Sequence, residues 1–189
     1  MARRNVRKLA LRPALPRRGV VWIPELAPER AASRLARFRE RFDPQASRIT
    51  PHVSLVFPFP TALTAAQVTS HVKRVTAGWP VLPVSFRGIE SIQQRFVVLM
   101  CDLRAAAITE LHDRLYSGVL AGHLREDLEY QPHITLGSTN EPNAFDEMLS
   151  EVELYFRDSI TATCRELSVV RYGDDGTITL EATVPLSRT

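Results

Sequence analysis

The stretch Pro51-His52-Val53-Ser54-Leu55 recurs 81 residues later as Pro132-His133-Ile134-Thr135-Leu136. Both copies have the form Pro-His-(β-branched)-(Ser/Thr)-Leu. Side chains alternate between the two faces of an extended strand, so the histidine and the hydroxyl residue of each copy share one face. The aliphatic residues face the opposite side, where they would anchor the strand in a core. Two such strands on either side of one cleft would form a symmetrical acid–base site.

The two motifs occupy the same position in a repeated series of elements. In the first half, apolar periodicity predicts a strand at 19–23, a helix at 28–42, the first histidine strand at 51–57, a helix at 64–76 and a strand at 84–90. In the second half it predicts a strand at 96–102, a helix at 104–116, the second histidine strand at 132–138, a helix at 142–152 and strands at 164–172 and 177–184. We therefore predict an α+β fold of duplicated β-α-β-α-β units. It should be bilobal, with lobes at about 19–90 and 96–185, pseudo-twofold symmetry and a central cleft.

The N-terminal segment differs in charge from the rest of the chain. Seven of the 24 Lys and Arg residues lie in residues 1–18, which contain no acidic residue. The remainder has 17 basic against 21 acidic residues, a net charge of −4, although the whole chain carries +3. We expect residues 1–18 to form a basic, flexible arm, with a possible role in touching nucleic acid, and residues 19–189 to form a single domain.

The remaining composition is that of an ordinary globular protein. No apolar stretch reaches membrane-spanning length, so no membrane association is expected. Cys101 and Cys164 lie far apart in apolar, strand-like segments without metal-ligand spacing. Buried free thiols in a reducing compartment are the expected state of both. We predict a cytoplasmic monomer.

Three interpretations of the paired motifs compete. The histidines could merely complete hydrogen bonds at the rim of a sheet, but their repetition, each with a hydroxyl two residues on, disfavours this. They could bind a metal, but two imidazoles fall short of the three or four ligands of a stable site. No third ligand is tied to either motif, so we expect no metal.

The third interpretation is phosphoester chemistry without metal or cofactor. Opening or closing a cyclic phosphate needs a base for the attacking oxygen and an acid for the leaving oxygen. Imidazoles suit both roles because their ordinary pKa is about 6.5. With His52 and His133 as base and acid, activity should be bell-shaped in pH with a maximum near neutrality. The hydroxyls of Ser54 and Thr135 could hold the non-bridging oxygens.

At these residues the chain resembles the two-histidine (2H) phosphoesterase superfamily, also called 2′-5′ RNA ligase-like. That family has two His-x-(Ser/Thr)-(hydrophobic) motifs in a duplicated α+β fold, a pattern matched here by His52-Val53-Ser54-Leu55 and His133-Ile134-Thr135-Leu136. The resemblance implies cyclic phosphodiesterase or RNA-end chemistry, hydrolytic or ligating, on RNA or a nucleotide with a cyclic phosphate. It implies His52, Ser54, His133 and Thr135 as active residues. Some members carry an Arg shortly after the second motif, where this chain has Gly137-Ser138-Thr139-Asn140.

Other residues near the motifs could complete the site. Arg48, four residues before His52, is the best-placed cation for a phosphate. Phe57 and Tyr130 flank the motifs and could stack a base. The rival to a metal-independent phosphoesterase is a non-catalytic RNA-binding module that uses the same cleft and the basic arm. Turnover of a cyclic nucleotide would separate the two.

Overall fold

The computed structural model of the chain describes residues 14–187, so residues 1–13 of the predicted arm lie outside the described part. Its elements are, in order, β1 (Arg17–Trp22), α1 (Glu29–Phe42), β2 (Val53–Pro60), α2 (Ala65–Val75), β3 (Leu82–Ile92), β4 (Phe96–Cys101), α3 (Ala105–Leu115), a 3₁₀ helix (Gly118–His123), β5 (His133–Ser138), α4 (Pro142–Tyr155), β6 (Ile160–Cys164), β7 (Glu166–Tyr172) and β8 (Ile178–Pro185). The first strand begins inside the segment predicted as arm. Arg18 is fixed there by an ion pair with Glu181 of β8, at 2.7 Å.

The strands form two antiparallel four-stranded sheets. Sheet A has the order β2-β1-β7-β8 and sheet B the order β5-β4-β3-β6. Strands β2, β1 and β7 of sheet A correspond, in the repeated series, to β5, β4 and β3 of sheet B. The predicted α+β fold of two duplicated units with pseudo-twofold symmetry is confirmed. Each motif strand lies at the edge of its sheet.

The predicted boundaries of the two lobes, 19–90 and 96–185, were wrong. The third strand of each half belongs to the other half's sheet: β3 pairs with β4, and β7 pairs with β1. A three-residue turn joins β3 to β4, and such a short connection makes consecutive strands antiparallel neighbours. The strand predicted at 164–172 is β7, and a further strand that was not predicted, β6, precedes it in the other sheet.

The helices also cross between the halves. Helix α1 packs against β5 and α4, whereas α3 packs against β2 and α2. The helix that follows the first strand of each half thus covers the other half's motif strand. Helix α2 begins with a capping box: Gln67 Oε1 accepts from the Thr64 N–H at 2.8 Å, and Thr64 Oγ1 accepts from the Gln67 N–H at 3.3 Å. No helix within residues 14–187 is long and apolar enough to cross a membrane.

A β-bulge interrupts each motif strand at its leucine. Ser54 and Val56 pair with consecutive residues of β1, so Leu55 between them has no partner there. In the same way, Thr135 and Gly137 pair with consecutive residues of β4, and Leu136 between them has no partner. Both leucines are fully buried. A bulge inserts one residue and changes the alternation of the side chains after it. Phe57 consequently lines the same cavity as Ser54, although strict alternation predicts opposite faces.

Both cysteines are buried in this core as free thiols, as predicted. Burial raises the pKa of Cys101 and of Cys164 to about 12. Each sulfur therefore stays protonated at neutral pH and packs as a small apolar group. Neither thiol has the low pKa of a reactive cysteine.

Gly137, two residues after the hydroxyl of the second motif, permits the close packing of α1 on β5. A Cβ atom there would lie 2.9 Å from the Phe42 carbonyl oxygen and would overlap the Met148 sulfur. We expect Gly137→Ala to lower the free energy of unfolding by about 1–3 kcal/mol through overpacking, measured by chemical denaturation. Gly122→Ala is the matched control, because its Cβ would meet nothing within 4 Å. Equal destabilisation by the two variants would contradict this packing.

Candidate active site

A backbone carbonyl two residues earlier in the chain holds each motif histidine. His52 Nδ1 lies 2.8 Å from the Thr50 oxygen, and His133 Nδ1 lies 2.6 Å from the Gln131 oxygen. A carbonyl oxygen only accepts hydrogen bonds, so Nδ1 of each ring carries a hydrogen and donates it. In the neutral ring, Nε2 is then the acceptor. Both imidazoles are thus oriented in the same way, with Nε2 available for proton exchange.

The four predicted motif residues line two cavities that adjoin. His52 and Thr135 line a cavity of about 150 Å³, which we call the small cavity. His133, Ser54 and Thr135 line a cavity of about 630 Å³, the large cavity. Thr135 and Phe96 contribute to both walls, so the two cavities meet at these side chains. The structure therefore brings one imidazole and one hydroxyl from each half to a shared cleft.

The environment of the cleft favours the neutral form of both imidazoles. Burial lowers the pKa of His52 and of His133 below the ordinary value of 6.5, although the bond to the backbone carbonyl opposes the shift in each. The positive charges of Arg39 and of protonated His133 lower the pKa of His52 further. The Glu90 carboxylate acts in the opposite direction on His133. Because one ring affects the other, the two titrate as a pair.

Three side chains from the second half hold the backbone of β2. His112 Nδ1 donates to the carbonyl of the bulged leucine at 2.8 Å. The Phe57 N–H donates to the Tyr116 hydroxyl at 2.9 Å. The Tyr130 hydroxyl donates to the Ser54 carbonyl at 2.9 Å. A bulged edge strand leaves backbone groups without a partner strand, and these bonds satisfy them while fixing the first motif in place.

Tyr130 therefore has a different role from the base stacking predicted for it. Its ring is stacked on His112, with centroids 3.6 Å apart and planes 10° from parallel. Glu129 and Gln131 line the large cavity, whereas Tyr130 between them does not. Burial raises the Tyr130 pKa, so the hydroxyl remains a donor. We reassign Tyr130 to the support of β2, while Phe57 does line the large cavity.

Two histidines on the helices are buried. His112 is 3% exposed and His71 is 2% exposed. His71 Nε2 lies 2.9 Å from the Leu115 carbonyl oxygen, which joins α2 to α3. Each ring thereby links two elements that lie far apart in the sequence.

Arg48, the predicted phosphate ligand, lies beside His52 but outside both cavities that contain Thr135. It lines a third cavity of about 140 Å³ with His52 and Thr50. Its Nη1 donates to the Asp175 carbonyl at 3.0 Å, which links the loop before β2 to the β7–β8 hairpin.

The cation in the wall of the small cavity is Arg39, which the sequence analysis missed. Arg39 is buried and pairs with Asp43 at 2.7 Å, while also donating to the Ile49 carbonyl at 2.8 Å. The pair holds the loop that leads to His52. Its signal in the sequence is the i,i+4 spacing of opposite charges at the end of α1.

The side chains described for this cleft offer proton transfer as their chemistry. Within residues 14–187, no group of three or more His, Cys, Asp and Glu residues is arranged to hold a metal ion. Two imidazoles with free Nε2 atoms, flanked by hydroxyl donors, can act as an acid and a base on one bound group.

The fold and the paired motifs define a class: a bilobal α+β protein in which each half supplies one histidine strand to a common cleft. A model of the 2′-5′ RNA ligase superfamily matches residues 27–176, which include both motif strands, and the chain belongs to that family.

Two bacterial relatives carry the name "Putative phosphoesterase". The protein from Geobacillus thermodenitrificans is 25% identical over 128 residues, which are 65% of this chain and 73% of that protein. The protein from Geobacillus kaustophilus is 25% identical over 138 residues, which are 72% of this chain and 77% of that protein.

Solved structures share the fold at low identity. LigT from E. coli in its apo form has a TM-score of 0.59 at 13% identity, covering 91% of this chain and 98% of LigT. LigT in complex with 3′-AMP has a TM-score of 0.58 at 17% identity, and the match covers 91% of this chain and 99% of LigT. Usb1 from Kluyveromyces marxianus has a TM-score of 0.51 at 11% identity, and the match covers 89% of this chain and 98% of Usb1. At these identities the likeness is one of fold.

We expect NMR titration to find both motif rings with pKa values below 6.5 and, in the neutral form, with the proton on Nδ1. The physical reasons are burial, which disfavours the charged ring, and the carbonyl acceptor at each Nδ1. ¹⁵N chemical shifts report the tautomer, and His52→Ala and His133→Ala spectra assign the signals. A neutral ring protonated on Nε2 would contradict the geometry described here.

Proposed function

We propose that this protein is a metal-independent phosphoesterase that acts on a 2′,3′-cyclic phosphate, or a related RNA-end or nucleotide substrate, with His52 and His133 as general acid and base. The observation that carries the proposal is the matched anchoring of both rings through Nδ1, which leaves one Nε2 from each half for proton transfer. Membership of the 2′-5′ RNA ligase superfamily supports this class of reaction. LigT, of similar fold, is known in complex with 3′-AMP, a product that opening of 2′,3′-cyclic AMP gives.

In the proposed hydrolysis, one imidazole takes a proton from water as the water oxygen attacks phosphorus. The bond from phosphorus to O2′ or O3′ breaks on the opposite side, and the other imidazole gives its proton to the departing oxygen. The two rings end with exchanged protonation states, and proton exchange with solvent restores them. If a ribose hydroxyl of another molecule attacks in place of water, the same ring opening forms a new phosphodiester, which is ligation.

Ser54 and Thr135 are proposed to bind the non-bridging oxygens. Each hydroxyl is half-buried and lines the large cavity, and Thr135 also lines the small one. Negative charge accumulates on these oxygens in the transition state, and donors already in position stabilise it without reorganisation. Arg39 lines the small cavity on the His52 side of the phosphate, where its charge is paired with that of Asp43.

We expect His52→Ala and His133→Ala each to lower kcat for 2′,3′-cyclic AMP on the order of 10²- to 10⁴-fold, because each removes one proton-transfer step. The double variant should be little worse than either single one, since the two groups act as a unit. Ser54→Ala and Thr135→Ala should each cost about tenfold to a thousandfold, the loss of one donor to the phosphate.

Two controls accompany these variants. His123→Ala removes an imidazole that lines neither cavity with the motifs and should leave kcat unchanged. EDTA should also leave the rate unchanged, and activity that it abolishes and zinc or manganese restores would overturn the mechanism. If the wild type binds the nucleotide without turning it over, the non-catalytic RNA-binding module becomes the better description.

The lowered pKa values move the expected pH optimum below the neutral value that unperturbed histidines predict. The acid needs a protonated ring, and this form is lost as pH rises through a pKa that burial has brought below 6.5. The base needs a neutral ring, which is lost as pH falls through the other pKa of the pair. A profile of kcat/KM for 2′,3′-cyclic AMP, which reports the free enzyme, should therefore be bell-shaped with its maximum on the acid side of pH 6.5. A maximum above pH 7 would contradict this account.

A further inference from the structure

Resting on the proposed function, we propose that the substrate is a single nucleotide or a phosphodiester of similar size, whose uncharged half occupies the large cavity, and not the end of an RNA strand. The observations behind this are the unequal sizes of the cavities that meet at Thr135 and the carboxylates that line the larger one.

The cavities on the two sides of the reacting phosphate differ in size. The large cavity, at about 630 Å³, falls within the range of small-molecule sites, whereas the small cavity holds about 150 Å³. A nucleoside therefore fits only on the His133 side, and the small cavity suits water. Phe57, Ile92 and Leu128 give the large cavity the apolar wall that a base requires, while Gln93, Ser91 and Gln131 offer polar groups.

Charge separates the same two sides. Three carboxylates line the large cavity, those of Glu90, Asp127 and Glu129, and its lining contains no Lys or Arg. Asp127 is paired with Arg125 at 2.6 Å. Among residues 14–187, neither Glu90 nor Glu129 has a Lys or Arg within ion-pair distance.

The His52 side carries no such excess of carboxylates. Asp43 pairs with Arg39 and lines the same small cavity, so these two charges offset each other. Arg48 lines the third cavity beside His52 and donates to a backbone carbonyl, with no carboxylate of residues 14–187 within ion-pair distance. Beside the large cavity, Arg125 pairs with Asp127, and the guanidinium carbon of Arg95 lies 4.9 Å from the Phe96 ring centre. A phosphate at the motif residues is therefore attracted towards His52, while the space beyond His133 favours an uncharged group.

The carboxylates of the large cavity would repel the backbone of an RNA strand. If its terminal nucleoside fills the large cavity, the next phosphate leaves the cavity past Glu90 and Glu129. Proteins that bind RNA strands place Lys and Arg along the backbone instead. A mononucleotide cyclic phosphate carries no second phosphate, so it avoids the repulsion entirely.

Two ligands that share a terminal nucleotide test the proposal: adenosine 3′-monophosphate and the dinucleotide ApA with a 3′-phosphate. We expect calorimetry at low salt to show tighter binding of the mononucleotide. In the double variant Glu90→Gln/Glu129→Gln, the ratio of mononucleotide affinity to dinucleotide affinity should fall by about threefold to tenfold. At high salt this fall should be smaller, because salt screens the repulsion. Glu153→Gln, which removes an exposed carboxylate on α4, is the matched control and should leave the ratio unchanged. Turnover of 2′,3′-cyclic AMP and of ApA with a 2′,3′-cyclic phosphate is measured in parallel.

The outcomes distinguish this inference from the proposed function. Equal or tighter binding of the dinucleotide, unaffected by the double variant, overturns the inference and leaves the catalytic proposal standing if either substrate is turned over. A mononucleotide preference that the double variant narrows, without turnover of either substrate, supports the inference and overturns the catalytic proposal. Absence of binding by both ligands overturns both.

Discussion

His133 lies on the edge strand β5 and His52 directly precedes the edge strand β2, and that constraint shapes the rest of the molecule. A further strand paired to β2 or β5 would cover the cleft, so each sheet must end at its motif strand. An open edge, however, exposes backbone groups that invite pairing with another chain. On β2, the strand bulges at Leu55, and hydrogen bonds from the side chains of His112, Tyr116 and Tyr130 satisfy backbone groups of the strand. Each motif strand is also covered by a helix of the other half, α3 on β2 and α1 on β5, and α1 packs closely at Gly137.

The equivalent positions of the bulges explain why the motif contains a leucine at its fourth position. In each strand the leucine is the residue without a ladder partner, and it is fully buried. A bulged residue is held by the packing of its side chain more than by pairing, so a large apolar side chain suits it. The motif therefore combines three tasks in four residues: the imidazole exchanges protons, the hydroxyl faces the phosphate, and the leucine fixes the local twist that presents them together.

The sequence could predict what depends on local pattern and repetition. The four motif residues, the element order and the capping box at Thr64 follow from periodicity and spacing. The exchange of β3 and β7 between the sheets could not be predicted this way, because strand pairing is a property of the whole chain. The same holds for Arg39 and His112, which act through contacts with other elements. Tyr130 was assigned to stacking because an aromatic residue beside a motif has the same pattern whether it faces the cleft or supports it from behind.

The exchanged topology also orders the assembly of the protein as it leaves the ribosome. All four strands of sheet B lie between Leu82 and Cys164, so this sheet has its complete set of strands while the C-terminus is still being made. Sheet A joins the two ends of the chain, with Gly19 opposite Val170. Such distant pairing is slow, because a large loop must close before its contacts stabilise anything. The sheet that carries His133 is therefore completed first, and the sheet next to His52 is completed only when β7 and β8 have joined β1 and β2. A chain arrested shortly after β6 would hold only half of the acid–base pair beside a finished sheet.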